Sequence, residues 1–329
     1  MGEYKVSVIV PIFGVEKFIG KCVDSLMRQT LREVEYVFVD DASIDHSVDI
    51  LNEVLSKYPQ RQGDVTILRH PLNLGLPSAR NTGLKVVRGE YVYHCDADDY
   101  LEPDMLEALY WAAEELNADI VYCDFWLTFE KNERLMRNPF FSSAFEMLVN
   151  GFLSGRMKFN VWNKLVKRRL YKENDILFPD GHPMGEDMTM ICIASYADKV
   201  ACVQLPLYHY VKTNGGAYSN NLSEKNISDI VFNVERVSSF LRSRFGDSLE
   251  KELSFFKLSN KLPFIISDKP EQYKRWQELW PEANVFIMQN NNQPLRTRLV
   301  QLAADKGWFW AVQLYYTLVY RFVYGAIYK

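Results

Sequence analysis

Acidic residues stand where a sheet would end its strands. Asp40-Asp41-Ala42-Ser43 follows the β-rich run 34–39, and Asp96-Ala97-Asp98-Asp99 follows the run 91–95. In open α/β sheets ligands sit beyond the carboxyl ends of strands, where strand order reverses, so these carboxylates mark a candidate binding edge. Five carboxylates there would repel one another in a dry cleft unless a cation, hydrogen-bond donors or water compensated them. Asp96 and Asp98 lie two apart, so in extended chain they share a face while Ala97 points away. Such oxygen ligands suit Mg²⁺ or Mn²⁺, which keep waters and substrate phosphates as the rest of their shell. Aspartate is equally an ordinary turn and helix-capping residue, and Asp45 and Asp49 are read that way.

The elements that must carry these residues follow from patterning. Val6-Ser7-Val8-Ile9-Val10 reads as a strand, 15–28 as a helix, 34–39 as a strand and 46–57 as a helix. A strand over 65–68, a helix over 77–87, a strand over 91–95, a helix over 103–116 with Pro103 in its first turn, and a strand over 120–122 continue the alternation. Such alternation is the sign of βαβ units and predicts an α/β fold with a mostly parallel sheet flanked by helices. Only Gly14 follows the first strand, so no G-x-G-x-x-G occurs there, and the chain has no G-K-[ST] phosphate loop. Dinucleotide oxidoreductases and P-loop NTPases are poor fits.

Composition narrows the class further. The 329 residues are 48% hydrophobic, enough for one large domain or a domain with an appendage. Thirty-eight Lys and Arg against 42 Asp and Glu give a net charge of −4, so no positive field attracts a polyanion and nucleic acid is not expected as a partner. Cys22, Cys95, Cys123, Cys192 and Cys202 are odd in number and form no C-x-x-C pair, which fits reduced thiols in a cytoplasmic protein. Met1-Gly2-Glu3-Tyr4-Lys5 runs into a strand pattern rather than a leader, and Val6 breaks the myristoylation pattern.

Several motifs recur in one order: Val8-Ile9-Val10-Pro11-Ile12-Phe13, then Val39-Asp40-Asp41-Ala42-Ser43-Ile44-Asp45, then Asn73-Leu74-Gly75-Leu76-Pro77-Ser78-Ala79-Arg80-Asn81-Thr82-Gly83. Gly89-Glu90-Tyr91 and Asp96-Ala97-Asp98-Asp99-Tyr100-Leu101 come next. This order resembles the family 2 glycosyltransferases with a GT-A fold. The resemblance is close over 1–125 and looser through Trp162-Asn163-Lys164-Leu165, Phe178-Pro179-Asp180-Gly181, Gly185-Glu186-Asp187 and Tyr208-His209-Tyr210. It implies a GT-A catalytic domain over 1–222, with a nucleotide-sugar half at 1–125 and an acceptor half at 126–222.

The implied reaction is inverting transfer of a sugar from a nucleotide-activated donor, a UDP-sugar by family habit, to a hydroxyl of a glycan or lipid-linked acceptor. Bacterial surface polysaccharide assembly is the implied setting. Carried over by position, Pro11 and Phe13 would line the base pocket and Asp41 would accept from a base N–H. Asp96 would approach the ribose or the metal, and Asp98 would be the main ligand of a divalent Mn²⁺ or Mg²⁺. Arg80 would contact the diphosphate or the base, its fixed charge suiting either. Displacement at the anomeric carbon needs a base for the acceptor proton, and the resemblance assigns it to Asp187, with Glu186 either supporting it from behind or binding the acceptor. A carboxylate opening a helical stretch is also a plain cap, as is Asp99 before the helix at 103–116. Trp162 would stack on an acceptor sugar or belong to the core. His209 would touch metal or diphosphate, with Lys212 helping, or be a half-buried histidine. Val211-Lys212-Thr213-Asn214-Gly215-Gly216 departs from the family, which often carries an arginine there.

Beyond 222 the pattern turns helical, clearest over 227–245, and predicts a helical C-terminal extension over 223–329. Residues 308–328 are dense in Trp and Tyr with a central Arg321, which suits a helix on the inner surface of a membrane better than a span. A helix packed on protein is the other reading. Two further function classes are a sugar-phosphate nucleotidyltransferase, which would show a Gly-rich basic loop in place of Pro11-Ile12-Phe13-Gly14, and a catalytically silent membrane-associated scaffold, which any turnover would exclude.

Overall fold

The computed structural model describes residues 4–213, 223–267 and 269–319. The chain divides into two compact units, Met1–Met147 with Phe159–Asn233, and Leu148–Lys158 with Val234–Lys329. The division therefore falls later than the 222/223 boundary expected from sequence, and the short segment 148–158 belongs with the second unit.

The first unit opens as β1 (Val6–Ile12), α1 (Ile19–Met27), β2 (Val34–Asp40), α2 (Ser47–Ser56), β3 (Val65–Arg69), α3 (Leu76–Val86) and β4 (Tyr91–His94). These strands pair in parallel in the order β3-β2-β1-β4, with Val8 opposite Tyr36 on one side and Tyr93 on the other. β1 and β2 are buried at every position, as strands covered on both faces must be. Helix α1 buries Ile19, Cys22, Val23, Leu26 and Met27, a stripe at helical spacing that packs into the core around Val8, Val10 and Tyr36. Helix α3 comes close to the sheet because residue 83 is glycine: a Cβ there would stand 2.5 Å from the Ile9 side chain.

Beyond β4 the sheet becomes mixed. The elements are β5 (Tyr100–Leu101), α4 (Met105–Leu116), β6 (Ile120–Thr128), β7 (Glu133–Met136), α5 (Ala144–Glu146), β8 (Lys164–Lys167), α6 (Arg168–Lys172), α7 (Thr189–Ala194), β9 (Val200–Val211) and α8 (Glu224–Phe245), within which the division between units falls. The nine strands among the described residues continue the order as β4-β8-β6-β9-β5, with β7 on β6. β8 is antiparallel to both neighbours, whereas β6 and β9 are parallel. The β6–β9 register slips around Asp124, opposite Pro206, where the missing N–H cannot continue the ladder.

The second unit contains α9 (Glu250–Ile265), α10 (Pro270–Glu278), α11 (Leu295–Asp305) and α12 (Phe309–Tyr315). Its centre holds Trp276 and a buried lysine, Lys261, whose ammonium donates to Leu279 O and Asn284 Oδ1, both at 2.7 Å, and lies 4.0 Å from the Trp276 ring centre. In α12, Val312 is buried while Trp310 is 70% exposed and Leu314 is also exposed. Among the described residues no helix is long and apolar enough to cross a membrane, and residues 320–328 of the expected surface helix lie outside them.

Candidate active site

Strand order reverses between β1 and β4, so the crevice opens past Ile12 and His94. Phe13, the first residue beyond β1, is 50% exposed there and offers a ring face. Pro11 is buried inside β1. Past β2, Ala42 adopts φ +60°, a left-handed conformation costing roughly 1 kcal/mol for a residue with a Cβ. The turn is held by Asp40 Oδ1, which accepts from Ser43 N at 2.9 Å.

Asp41 is buried and its carboxylate is occupied. Its oxygens accept from Leu74 N and Gly75 N, each at 2.8 Å, and His70 Nδ1 lies 2.7 Å away. A base N–H was the expected partner; the observed partners make Asp41 the organiser of the loop that leads into α3.

Arg80 is likewise placed differently from its expected diphosphate contact. It is 1% exposed in the interior face of α3, and its guanidinium donates to three carboxylates at 2.9 Å each: Nη2 to Asp96 Oδ1, and Nη1 to Glu186 Oε1 and Asp187 Oδ1. A fixed, planar cation is the side chain that can hold three carboxylates in one geometry. Its charge balances repulsion among them and draws residues 80, 96 and 186–187 to one point.

Residues 186–187 reach this point through a short turn, Glu186–Met188, entered from Gly185 at φ +89°. The preceding segment is fastened from both sides. Asn81 Nδ2 donates to Phe178 O and Asp180 Oδ1 while Phe178 N donates to Asn81 Oδ1, and Ser78 Oγ donates to Asp180. From α8, Asn233 Nδ2 donates to His182 O and Met184 O. The Ser78-Ala79-Arg80-Asn81 motif thus works as a grip on 178–187, a role that sequence reading did not assign to Asn81.

Within the cluster, burial pushes the Glu186 carboxyl up to about 8, with the Asp187 charge adding to the shift. Glu186 faces Arg80 and is nearly enclosed. Asp187 is also raised, by burial first, against the lowering effect of Arg80. The side chains of Asp187 and Asp96 remain 23% and 26% exposed, so these two carboxylates reach the crevice.

Asp98 stands partly exposed on the same loop. Its neighbour Asp99 is buried, accepting from Tyr208 Oη at 2.6 Å and Val211 N at 2.7 Å, and burial pushes its carboxyl well up. It is a strut between the β4 loop and β9; Asp104 takes the cap position of α4 that Asp99 was expected to fill.

Trp162 and His209 each had a packing reading beside the ligand one, and the structure shows packing contacts for both. Trp162 is buried, stacked on Tyr208 at 4.5 Å and Tyr210 at 5.1 Å, with Phe125 edge-on at 4.8 Å, so it belongs to the core and presents no platform for a sugar. His209 Nε2 lies 2.8 Å from Glu102 and Nδ1 2.9 Å from Glu133, and its ring stacks on Tyr100 at 4.2 Å. Both ring nitrogens lie within hydrogen-bond distance of carboxylates. Lys212 lies 4.3 Å from the Tyr210 ring centre, and 214–216 lie outside the described residues.

Among the described residues no group of three or more His, Cys, Asp or Glu side chains is disposed to hold a metal ion. The donor chemistry nevertheless suits a hard cation that shares its shell with a diphosphate: carboxylate oxygens of Asp98, with Asp96 Oδ2 beside the Oδ1 that Arg80 uses.

Comparison with known proteins agrees with this architecture. The model of the family described as glycosyl transferase family 2 matches residues 7–184. EpsJ of Bacillus subtilis, described as an uncharacterized glycosyltransferase, is 34% identical over 62% of this chain and 60% of its own length. Glycosyltransferase GlyA of Streptococcus pneumoniae is 30% identical over 92% of this chain and 44% of its own. The chain therefore spans about half the length of these relatives. The crystal structure of S. aureus TarS 1–349 in complex with UDP-GlcNAc superposes with a TM-score of 0.68 at 22% identity, covering 95% of this chain and 91% of that one.

Proposed function

Because the chain belongs to glycosyl transferase family 2, we propose that it is an inverting glycosyltransferase, moving a sugar from a nucleoside-diphosphate sugar to an acceptor hydroxyl with Asp187 as general base. The observation that carries the reading is the buried Arg80 guanidinium, which joins Asp96 at the strand-order reversal to Glu186 and Asp187. One cation thereby ties together the carboxylates that this reading assigns to the donor side and to proton acceptance.

Phe13 supplies a face for the nucleobase. Asp187 takes the acceptor proton as the hydroxyl oxygen bonds to the anomeric carbon; the bond from that carbon to the diphosphate oxygen breaks with its electron pair, and configuration inverts. Arg80 orients Asp187 and holds Asp96 beside the leaving group's path. A divalent cation, when bound, would be held by Asp98 and Asp96 and would neutralise charge on the departing diphosphate.

A UDP-sugar is favoured, supported by the UDP-GlcNAc held by the TarS structure. The acceptor is a glycan or a lipid-linked saccharide of surface polysaccharide assembly, met on the inner face of the membrane. Exposed Trp310, Leu314 and Leu318, spaced four apart, support a lipid surface as the partner of the C-terminal segment.

Calorimetric titration of UDP and GDP, with Mn²⁺, Mg²⁺ or EDTA, tests the reading. UDP is expected to bind in a metal-dependent manner to the wild type and to Asp187→Asn alike, while Asp187→Asn loses transfer by about 10²–10⁴-fold. Full transfer by Asp187→Asn, or no nucleotide bound under any metal condition, refutes it.

A further inference from the structure

The segment that delivers Asp187 carries an aromatic pair that the chemistry at the anomeric carbon does not use. His182 stacks its ring on Phe232 of α8, with ring centres 3.6 Å apart and 10° between the planes. Its Nδ1 lies 3.0 Å from Oδ1 of Asp229, a buried carboxylate one turn earlier on the same helix. A carboxylate accepts, so Nδ1 donates, and the ring is fixed with Nε2 turned away from Asp229. Nε2 has no hydrogen-bond partner among the described residues, and the His182 side chain is 33% exposed. Phe232 is 41% exposed, so the stack leaves aromatic surface in water. Asp229, Phe232 and Asn233 stand at i, i+3 and i+4 and share the face of α8 that lies on 181–185. From that helix Asn233 Nδ2 donates to His182 O at 3.2 Å and Met184 O at 3.1 Å, and Lys225 Nζ donates to Gly181 O at 3.3 Å.

A saccharide ring presents C–H groups on its faces and hydroxyls at its edge, so its recognition needs aromatic surface beside a fixed hydrogen-bonding group. The His182–Phe232 pair offers both. Its place along the chain says which saccharide it can meet. His182 stands five residues before Asp187, so their backbones are at most about 18 Å apart, a span of a few sugar units. From Gly181 to Asp187 every residue keeps some exposure except Glu186, which turns inward to Arg80. We propose that His182 and Phe232 form a saccharide subsite on the acceptor side, holding a sugar unit remote from the reacting hydroxyl. Nε2 accepts from a hydroxyl of that unit, and the Phe232 ring meets its C–H face. The proposal rests on Asp187 being the base, because the base marks the acceptor side. Asp229 and Asn233 set the pair in place beforehand, so binding orders little of the chain. The acceptor class that follows is an oligosaccharide, free or lipid-linked, rather than a single sugar.

The experiment uses the full chain labelled with ¹⁵N at histidine. The His182 signals are identified by their loss in His182→Asn, whose amide keeps a donor toward Asp229. Lactose, cellobiose and maltose are then titrated into the millimolar range. Expected is a saturable displacement of the His182 Nε2 resonance by at least one of the three. Phe232→Leu should weaken that binding by about two- to tenfold, the range of an aromatic contact, while Phe232→Tyr, which keeps the ring, should retain it. UDP affinity should match the wild type in both Phe232 variants. An Nε2 resonance unmoved by any of the sugars would overturn the proposal. So would undiminished sugar binding by Phe232→Leu, even with a lowered Tm, since the pair would then be a packing contact alone. Asp187→Asn should leave the sugar titration unchanged; full transfer by that variant would remove the base assignment, a failure read from transfer and not from the Nε2 signal.

Discussion

Replacing Arg80 by methionine tests the centre of the site. The substitution keeps much of the buried stem and deletes the cation in contact with Asp96, Glu186 and Asp187. Removing one partner of a buried ion pair costs about 3–5 kcal/mol. Asp96 and Asp187 keep about a quarter of their surface in water, so hydration offsets part of this, and the lower end, about 3 kcal/mol, is expected. For a unit of this size that is a fall in Tm of roughly 6–12 °C. The sign of its pH dependence follows from Glu186. Its folded carboxyl is raised to about 8, above the unfolded value, so its contribution is full below the unfolded pKa and is lost as pH rises toward 8. Without Arg80 the carboxylates resist ionisation further, so the deficit should be largest at pH 8 and should shrink at pH 5, where protonation relieves their repulsion. Calorimetric unfolding of both proteins at the two pH values measures this, with transfer activity expected to fall at least a hundredfold from misplacement of Asp187. A Tm change under 2 °C at both pH values, or a larger deficit at pH 5, would refute the charge-balance reasoning.

Phe13→Ala should weaken UDP binding by about 1–3 kcal/mol, the range of an aromatic–base stack, with Tm unchanged because the ring is half exposed; titration calorimetry reads it, and unaltered affinity would detach Phe13 from the donor. Trp162→Ala should cost about 3–5 kcal/mol in stability while leaving the KM for acceptor unchanged in the protein that remains folded. A selective rise in that KM would restore Trp162 to the acceptor site.

The parallel half of the sheet was legible because β1 to β4 are compact apolar runs separated by amphipathic helices. The mixed half was not. β8 has four residues, and β9 carries Pro206 and an irregular register, so neither shows a clean period. Long-range pairing, rather than local pattern, creates them. In the site, the acidic residues were visible as types, but their partners were not. Arg80 meets Glu186 across 106 positions of sequence, and nothing local marks which carboxylates converge on it. Trp162 and His209 stayed open between two readings for a shared reason: an aromatic or imidazole ring within a motif has the same letter whether its faces meet a ligand or Tyr208 and Tyr100. Asn81 had a better signal, since an amide within a helix, next to an arginine and far from any cap, needs a partner outside that helix.

The hold of Asp41 on Leu74 and Gly75 bears on the kinetics of ligand capture. That loop and the Asp40–Ser43 turn are tied by their own chain before any nucleotide arrives, so binding on this side orders little backbone. Association there should be a single fast step whose rate rises linearly with nucleotide concentration, and its heat-capacity change should reflect the surface of the ligand and its contacts rather than the folding of a segment.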